Sequence, residues 1–275
     1  MFKLNFIFTA IGDQIATTAL PENLFKLTGA KTAISDTRIW AFKHNPYVNF
    51  VSEDQARDLP SIDLIPDCRV PAQAQNYFNR RNNTVTNGQT DYMLSQLEID
   101  QFPLRHSRLY IYEDETIEPD KIVVHTQGSD RTQAGESAIR YSSGEDSERI
   151  MSQEVCTAIL KNYRDYRIVQ IGSISDRPLG GASIDLRGKT DYWGTAREIA
   201  TASRFIGINS GPMHIANCYP RVDKRIVLME FPQKTLTEFR PGDIRNWLFS
   251  WIDPTATFFN KTHEDVGYTF SFTKI

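Results

Sequence analysis

Short apolar runs punctuated by glycine turns recur along the chain, and most lead into residues with helical spacing. The first run, Leu4 to Phe8, passes a turn at Gly12. Apolar positions then follow at Ile15, Leu20, Leu24, Phe25 and Leu27, and the stretch stops near Gly29. An apolar run followed by helical spacing predicts strand, glycine turn and helix, the opening of a βαβ unit. Further strands are predicted at Thr32–Ser35, Val48–Val51, Ile62–Ile65 and Leu109–Tyr112, with a turn at Asn45-Pro46-Tyr47 and a helix from Tyr92 through Leu97. Residues 71–92 are rich in Asn, Gln, Arg and Thr. They read as polar helix and loop on an open face, or as a variable surface loop.

Glu113 to Asp120 is acidic, holds Pro119 and lacks apolar periodicity, which reads as a linker. Directly after it, Lys121-Ile122-Val123-Val124-His125-Thr126 restarts the strand–turn–helix grammar. A helix is predicted over Met151–Tyr163, a strand over Arg167–Ser173 with a glycine turn at Gly172, and a short edge and turn over Asp185–Thr190. A helix over Thr195–Ser203 leads into the apolar run Phe205, Ile206 and Ile208. Asn209, Ser210, Gly211 and Pro212 break that run, and Met213, Ile215 and Ala216 restart as helix. Arg225–Met229 is the next strand. Three such passages in one half argue a doubly wound parallel sheet. Residues 240–261 are dense in aromatics and read as a core or domain-interface cluster. Tyr268–Phe272 alternates like a last strand.

Composition narrows this picture. A length of 275 residues allows one large or two ordinary α/β domains, and 40% hydrophobic residues with 16 Phe and 11 Tyr can fill their cores. A net charge of −3 gives no general attraction to nucleic acid or anionic membrane. No apolar run approaches the roughly 18 residues of a membrane span. The 3 cysteines, Cys68, Cys156 and Cys218, are unpatterned, as in a reducing cytoplasm.

Candidate chemistry gathers at the predicted strand ends. Asp13 follows the first strand, as a site carboxylate or as an ordinary helix cap. The turn Gln127-Gly128-Ser129-Asp130-Arg131-Thr132 has the glycine, hydroxyls and cation of a phosphate cradle, a composition many surface loops share. Asp176 follows the Gly172 turn, placed to reach a ribose hydroxyl. At Ser210–His214, Pro212 suits a first helical turn and Ser210 a helix cap. The same turn reads equally as an anion site, with free amides and His214 as donors.

Four ordered stretches resemble the ADP-heptose:lipopolysaccharide heptosyltransferase family of glycosyltransferases. They are Ile11-Gly12-Asp13 with Thr17-Thr18-Ala19-Leu20-Pro21; Asn45-Pro46-Tyr47-Val48; His125-Thr126-Gln127-Gly128-Ser129; and Leu186–Thr190 leading through Ala196 and Glu198 into Asn209–His214. The resemblance runs from residue 3 to about residue 230. It implies the GT-B fold: two Rossmann-like doubly wound domains facing a central cleft. Residues 1–117 would form the acceptor side, 118–250 the nucleotide-sugar side, and 251–275 a tail packing back on the first domain. It further implies inverting transfer of a sugar from a nucleotide-diphosphate donor to an acceptor hydroxyl, in surface-glycan or lipopolysaccharide-type assembly. Asp13 would be the base, with Gly12 and Gln14 on the acceptor side. Thr126, Gly128, Ser129, Arg131, Gly172, Asp176, Leu186, Gly188, Lys189, Ser210, Gly211, Pro212, Met213 and His214 would hold the nucleotide diphosphate, and Asn209 would face the donor sugar. No metal and no cofactor beyond the donor is implied, and the acceptor stays open: glycan, lipid-linked saccharide, protein or modified nucleic-acid base. The implied location is cytoplasmic or peripheral at the inner membrane face. Asn209 stands where the family usually has Asp. The usual Lys-x-Trp after the phosphate loop is absent, with Arg131 or Arg140 as substitutes. A non-catalytic nucleotide-binding scaffold and a nucleotide-sugar enzyme of the epimerase type are the alternatives.

Overall fold

The computed structural model describes residues 1–6, 11–36, 38–64, 107–128, 150–208, 210–228 and 257–260, with backbone alone at 13, 16, 63, 64, 228 and 257–260. The chain divides into two compact units between Ile111 and Tyr112. It is a mixed α/β protein, and each unit carries a parallel sheet.

In the first unit the sheet order is β3-β2-β1-β4, from β1 (Phe2–Phe6), β2 (Thr32–Ile34), β3 (Val48–Phe50) and β4 (Ser61–Leu64). Leu4 pairs with Ile62 across the sheet. Leu4, Ile62, Ala33 and Ile34 are buried, together with Leu20 and Leu24 of the second helix. The single helix expected after Gly12 is two, α1 (Ile11–Ala16) and α2 (Ala19–Thr28), and a short α3 (Glu53–Ala56) leads into β4. The Thr17 hydroxyl donates to the Gln14 carbonyl at 2.9 Å and the Thr18 hydroxyl to the Ile15 carbonyl at 2.7 Å. Such back-bonds compete with the helical ladder, and the chain turns at these residues. Gly29 ends α2 at φ 71°, with its N–H donating to the Phe25 carbonyl, a left-handed cap that favours glycine.

Leu109–Tyr112 is not the strand its alternation suggests. Tyr110 and Tyr112 have φ of 57° and 60°, which no strand accommodates. The segment is held instead by buried Glu22 of α2. The Tyr110 phenol donates to Glu22 Oε2 at 2.5 Å, and Arg108 Nη1 lies 3.3 Å from the same oxygen. The Arg108 guanidinium also sits over the Tyr110 ring, 4.7 Å from its centre.

In the second unit the order is β10-β9-β8-β5-β6-β7, all parallel. The strands are β5 (Glu118–His125), β6 (Arg167–Ile171), β7 (Ile184–Asp185), β8 (Ala202–Ile208), β9 (Asp223–Leu228) and β10 (Thr257–Asn260). β5 is central, and Ile122, Val123 and Val124 are fully buried, as expected of a strand covered on both faces. Ile122, Val124, Ile168, Ile206, Ile208 and Val227 share one cluster with Val155 and Ile159 of α4 (Gln153–Asn162). Each such side chain stabilises the fold by about 1.5–3 kcal/mol.

β5 begins at Glu118, inside the stretch that reads as linker, and pairs with β8 through a register shift between Glu118 and Ile122. Helix α5 (Tyr192–Ala200) starts and stops three residues before its expected bounds, because Asp191 caps it by accepting the Gly194 N–H at 2.7 Å. Residues 257–260 of the tail form the edge strand of this second sheet, beside β9. The predicted elements at 71–92, 92–97 and 268–272, and the aromatic cluster before residue 257, lie outside the described residues.

Candidate functional site

The chain runs from β5 to β6 and β7 on one side, then returns to place β8 on the other side of β5. That reversal lies between β5 and β8, and parallel sheets place ligands in the crevice beyond the carboxyl ends at such a point. His125 ends β5 there, paired in register with Ile171 of β6 and Gly207 of β8.

Helix α6 (Gly211–Asn217) begins just past β8. Ser210 occupies its N-cap position, with Pro212 in the first turn, but its side chain makes no capping bond. The hydroxyl turns inward, 2.9 Å from His125 Nδ1 and 3.1 Å from the Ile208 carbonyl. The other ring nitrogen, Nε2, lies 3.3 Å from Asp176 Oδ2. Asp176 Oδ2 also accepts the Ser173 N–H at 2.8 Å. Ser210, His125 and Asp176 are all buried. Asp176, expected at a ribose, is thus turned into the protein. Gly172 makes room for this pair. It sits at φ 127°, and a Cβ there would run into the Asp176 carboxylate and stand 3.0 Å from His125 Cδ2.

The free amides expected across Gly211–His214 are fewer than the turn suggests. The N–H groups of Met213 and His214 donate to the Ser210 carbonyl at 3.1 and 3.4 Å. Pro212 has none, so the amide charge open to an anion narrows to the Ser210–Gly211 end. Met213 and His214 are buried.

Thr126, expected in a phosphate cradle, is fully buried. Its hydroxyl donates to the Arg177 carbonyl at 2.6 Å and accepts from Gln170 Nε2 at 3.1 Å. Gln170 also donates to the Arg177 carbonyl at 2.7 Å and accepts the Leu179 N–H at 2.7 Å. A side-chain amide in the core is tolerable when its groups are satisfied in this way. Gly128 is buried next to the bridge between Gln127 and Ile150.

The edge of the site is the turn after β7. The Leu186 N–H donates to the Gln170 carbonyl, and the Gly188 N–H, at φ 66°, to the Gly172 carbonyl, both at 2.8 Å. Exposed Lys189 donates to the Asp185 carbonyl at 2.7 Å. Arg187 forks onto Asp185 with Nε and Nη2, at 3.0 and 2.8 Å, and donates to the Asp176 carbonyl. The Arg187 hydrogen bonds hold the Asp185 carboxyl down to about 2.

This arrangement of strands is shared with known glycosyltransferases. The chain is similar to a glycosyl transferase family 9 structure from Veillonella parvula, at 15% identity and a TM-score of 0.61, covering 100% of this chain and 93% of that one. It is similar to the E. coli heptosyltransferase WaaC with ADP, at 11% identity and a TM-score of 0.60, covering 100% and 97%. The E. coli ADP-heptose lipopolysaccharide heptosyltransferase II gives 12% identity and a TM-score of 0.54, covering 100% and 95%. The chain has the fold of these glycosyltransferases. No family model matches the sequence, and neither does any curated protein.

Of the residues that the heptosyltransferase resemblance places on the acceptor side, Gly12, Asp13 and Gln14 lie on α1. Gln14 is buried, and its Oε1 accepts the Ala41 N–H at 3.4 Å. The Asp13 side chain, Ser129, Arg131, Arg140 and Asn209 lie outside what the structure describes. Among the described residues no group of three His, Cys, Asp or Glu side chains could hold a metal, and no helix is long and apolar enough to cross a membrane. Sequence reasoning missed the roles of His125 and Gln170. Each is a polar residue directly after buried apolar positions of its strand, Ile122–Val124 and Ile168–Val169, and that is the signal the sequence offers.

Proposed function

We propose that this chain is a glycosyltransferase that moves a sugar from a nucleotide-diphosphate donor to an acceptor hydroxyl, with inversion, in surface-glycan or lipopolysaccharide-type assembly. The carrying observation is the fold shared over the whole chain with three glycosyltransferase structures. The sheet of the second unit reverses its strand order between β5 and β8, in agreement with that reading. Residues 1–117 and 118–250 form two Rossmann-like domains in this reading, and the tail, expected against the first, adds its residues 257–260 to the sheet of the second instead. The nucleotide diphosphate meets the second domain at Ser210, Gly211 and the loop holding Ser129 and Arg131. A positively charged or hydrogen-bonding surface there stabilises the diphosphate as charge builds on it. Asp13 takes the acceptor proton while that oxygen attacks the anomeric carbon opposite the diphosphate. In this reading the protein acts in the cytoplasm or at the inner membrane face and needs no cofactor beyond its donor.

The experiment is a panel of nucleotide sugars incubated with the full chain, read by release of free nucleoside diphosphate with and without a chelator. Release from one donor, unchanged by chelator, is expected. No release and no nucleotide binding across the panel overturns the reading. Binding without release favours the non-catalytic scaffold.

A further inference from the structure

Ser210, His125 and Asp176 form a buried line linking the ends of β8, β5 and the loop after β6. Three contacts in this line each need one proton: Ser210 Oγ to His125 Nδ1, Ser210 Oγ to the Ile208 carbonyl, and His125 Nε2 to the Asp176 carboxylate. A neutral imidazole and a hydroxyl supply only two between them. With the ring singly protonated at Nε2, Ser210 must give its proton to Nδ1, and its oxygen then presents lone pairs alone. With the ring doubly protonated, Nδ1–H donates to Ser210 Oγ and the hydroxyl proton is free for another acceptor. The Ile208 carbonyl, 3.1 Å from Ser210 Oγ, is one such acceptor.

We propose that His125, braced by Asp176, is a positioning residue for diphosphate binding: it donates to Ser210 Oγ and so directs the hydroxyl's one proton to a phosphate oxygen. The proposal rests on the nucleotide-diphosphate reading above. Binding then draws one proton from solvent onto the imidazole, where the Asp176 carboxylate faces it. Among the described charged and titratable groups near the ring, Asp176 faces Nε2, and Arg187 donates to the Asp176 carbonyl. Arg177 donates to the Met151 carbonyl at 3.0 Å, and buried His214 lies in the first turn of α6. Both arginines donate to backbone carbonyls, and the carboxylate at the ring is that of Asp176.

The test is calorimetric titration of the full chain with ADP, GDP, UDP and CDP, in buffers of differing ionisation enthalpy. Wild type is compared with Ser210→Ala, His125→Asn, Asp176→Asn and the Ser210→Ala/His125→Asn pair. Wild type is expected to bind one diphosphate with uptake of close to one proton. Ser210→Ala and His125→Asn each weaken it about tenfold and abolish the uptake, and the pair binds no more weakly than Ser210→Ala alone. A merely structural histidine costs the same with or without Ser210, and that additivity overturns the proposal. Wild-type heats that do not depend on the buffer overturn it as well. Should His125→Asn fail to unfold cooperatively, the near-isosteric Asp176→Asn provides the cycle with Ser210→Ala. Wild type binding none of the four overturns the nucleotide reading itself, and this proposal with it. Binding with additive losses overturns this proposal alone.

Discussion

Glu22 anchors the segment ahead of the boundary between the two units. It pairs with Lys26 at 2.5 Å and receives Tyr110 and Arg108 on its other oxygen. Burial by itself raises its carboxyl. Hydrogen bonds from Lys26 and Tyr110 and the charges of Lys26 and Arg108 outweigh that, so the carboxyl titrates below its ordinary value. Burial and the nearby carboxylate push the Tyr110 phenol well up, which keeps it a donor. A carboxyl lowered on folding contributes stability above its unfolded pKa of about 4.3, lost as pH falls through the folded value. Glu22→Gln is therefore expected to lower stability by about 1.5–3 kcal/mol near neutrality. The gap to wild type should narrow as pH falls below the unfolded value of about 4.3 and through the lower folded one, as read by denaturant midpoints across pH. None of this was legible in the sequence. Beyond Lys26, one helical turn on, the partners of Glu22 are Arg108 and Tyr110, more than 80 residues away. Asn209 is the opposite case, visible in sequence and outside the described residues. An acid there would accept hydrogen bonds from sugar hydroxyls at roughly 1.5–3 kcal/mol each, against about 0.5–1.5 for a neutral partner. Asn209→Asp is expected to tighten binding of a donor rich in hydroxyls about tenfold relative to the rest of a donor panel. Unchanged preference would mean that residue 209 does not read the sugar.

Among the elements, β5 and β8 were the most legible. Their apolar runs, Ile122–Val124 and Phe205–Ile208, end in glycine-bearing turns and lie in strands as expected, though β5 starts at Glu118 and β8 at Ala202, three residues early in each case. What the pattern could not supply is the direction of the polar groups at their ends. Ser210 and Thr126 sit in turns that suit an incoming anion, yet both hydroxyls serve the protein. Thr126 is the clearer of the two, since no part of it is exposed. Thr126→Val keeps its volume and leaves the Arg177 carbonyl short of one donor, a loss of about 1–2 kcal/mol. Stability is expected to fall by that amount, with diphosphate affinity changed less than about twofold at temperatures where the variant stays folded. A tenfold loss of affinity would return Thr126 to the phosphate site. The strand predicted at Leu109–Tyr112 failed for a related reason. Alternating large residues satisfy a strand pattern locally, but the Glu22 contacts favour a left-handed backbone at Tyr110.

At the scale of the whole chain, the alternation of strands and helices told of parallel sheets, because parallel neighbours need crossovers. The order within the second sheet was not readable, since period and turn chemistry are blind to which side of β5 a returning strand takes. That order matters for function because it sets where the sheet reverses. The proposed reaction divides labour between the units: a carboxylate of the first takes the acceptor proton, and the second holds the nucleotide. This division has a consequence that binding and turnover report separately. A positioned general base contributes about 10²–10⁴ in rate. Asp13→Asn is expected to lower turnover by that factor while leaving nucleoside diphosphate affinity as in wild type. Parallel loss of binding and turnover would make Asp13 a structural residue of α1. Retained turnover would place the base elsewhere. Loss of transfer with slow donor hydrolysis retained is the sharpest expected outcome, because water needs less help from a base fixed on the acceptor side than a sugar hydroxyl held against it.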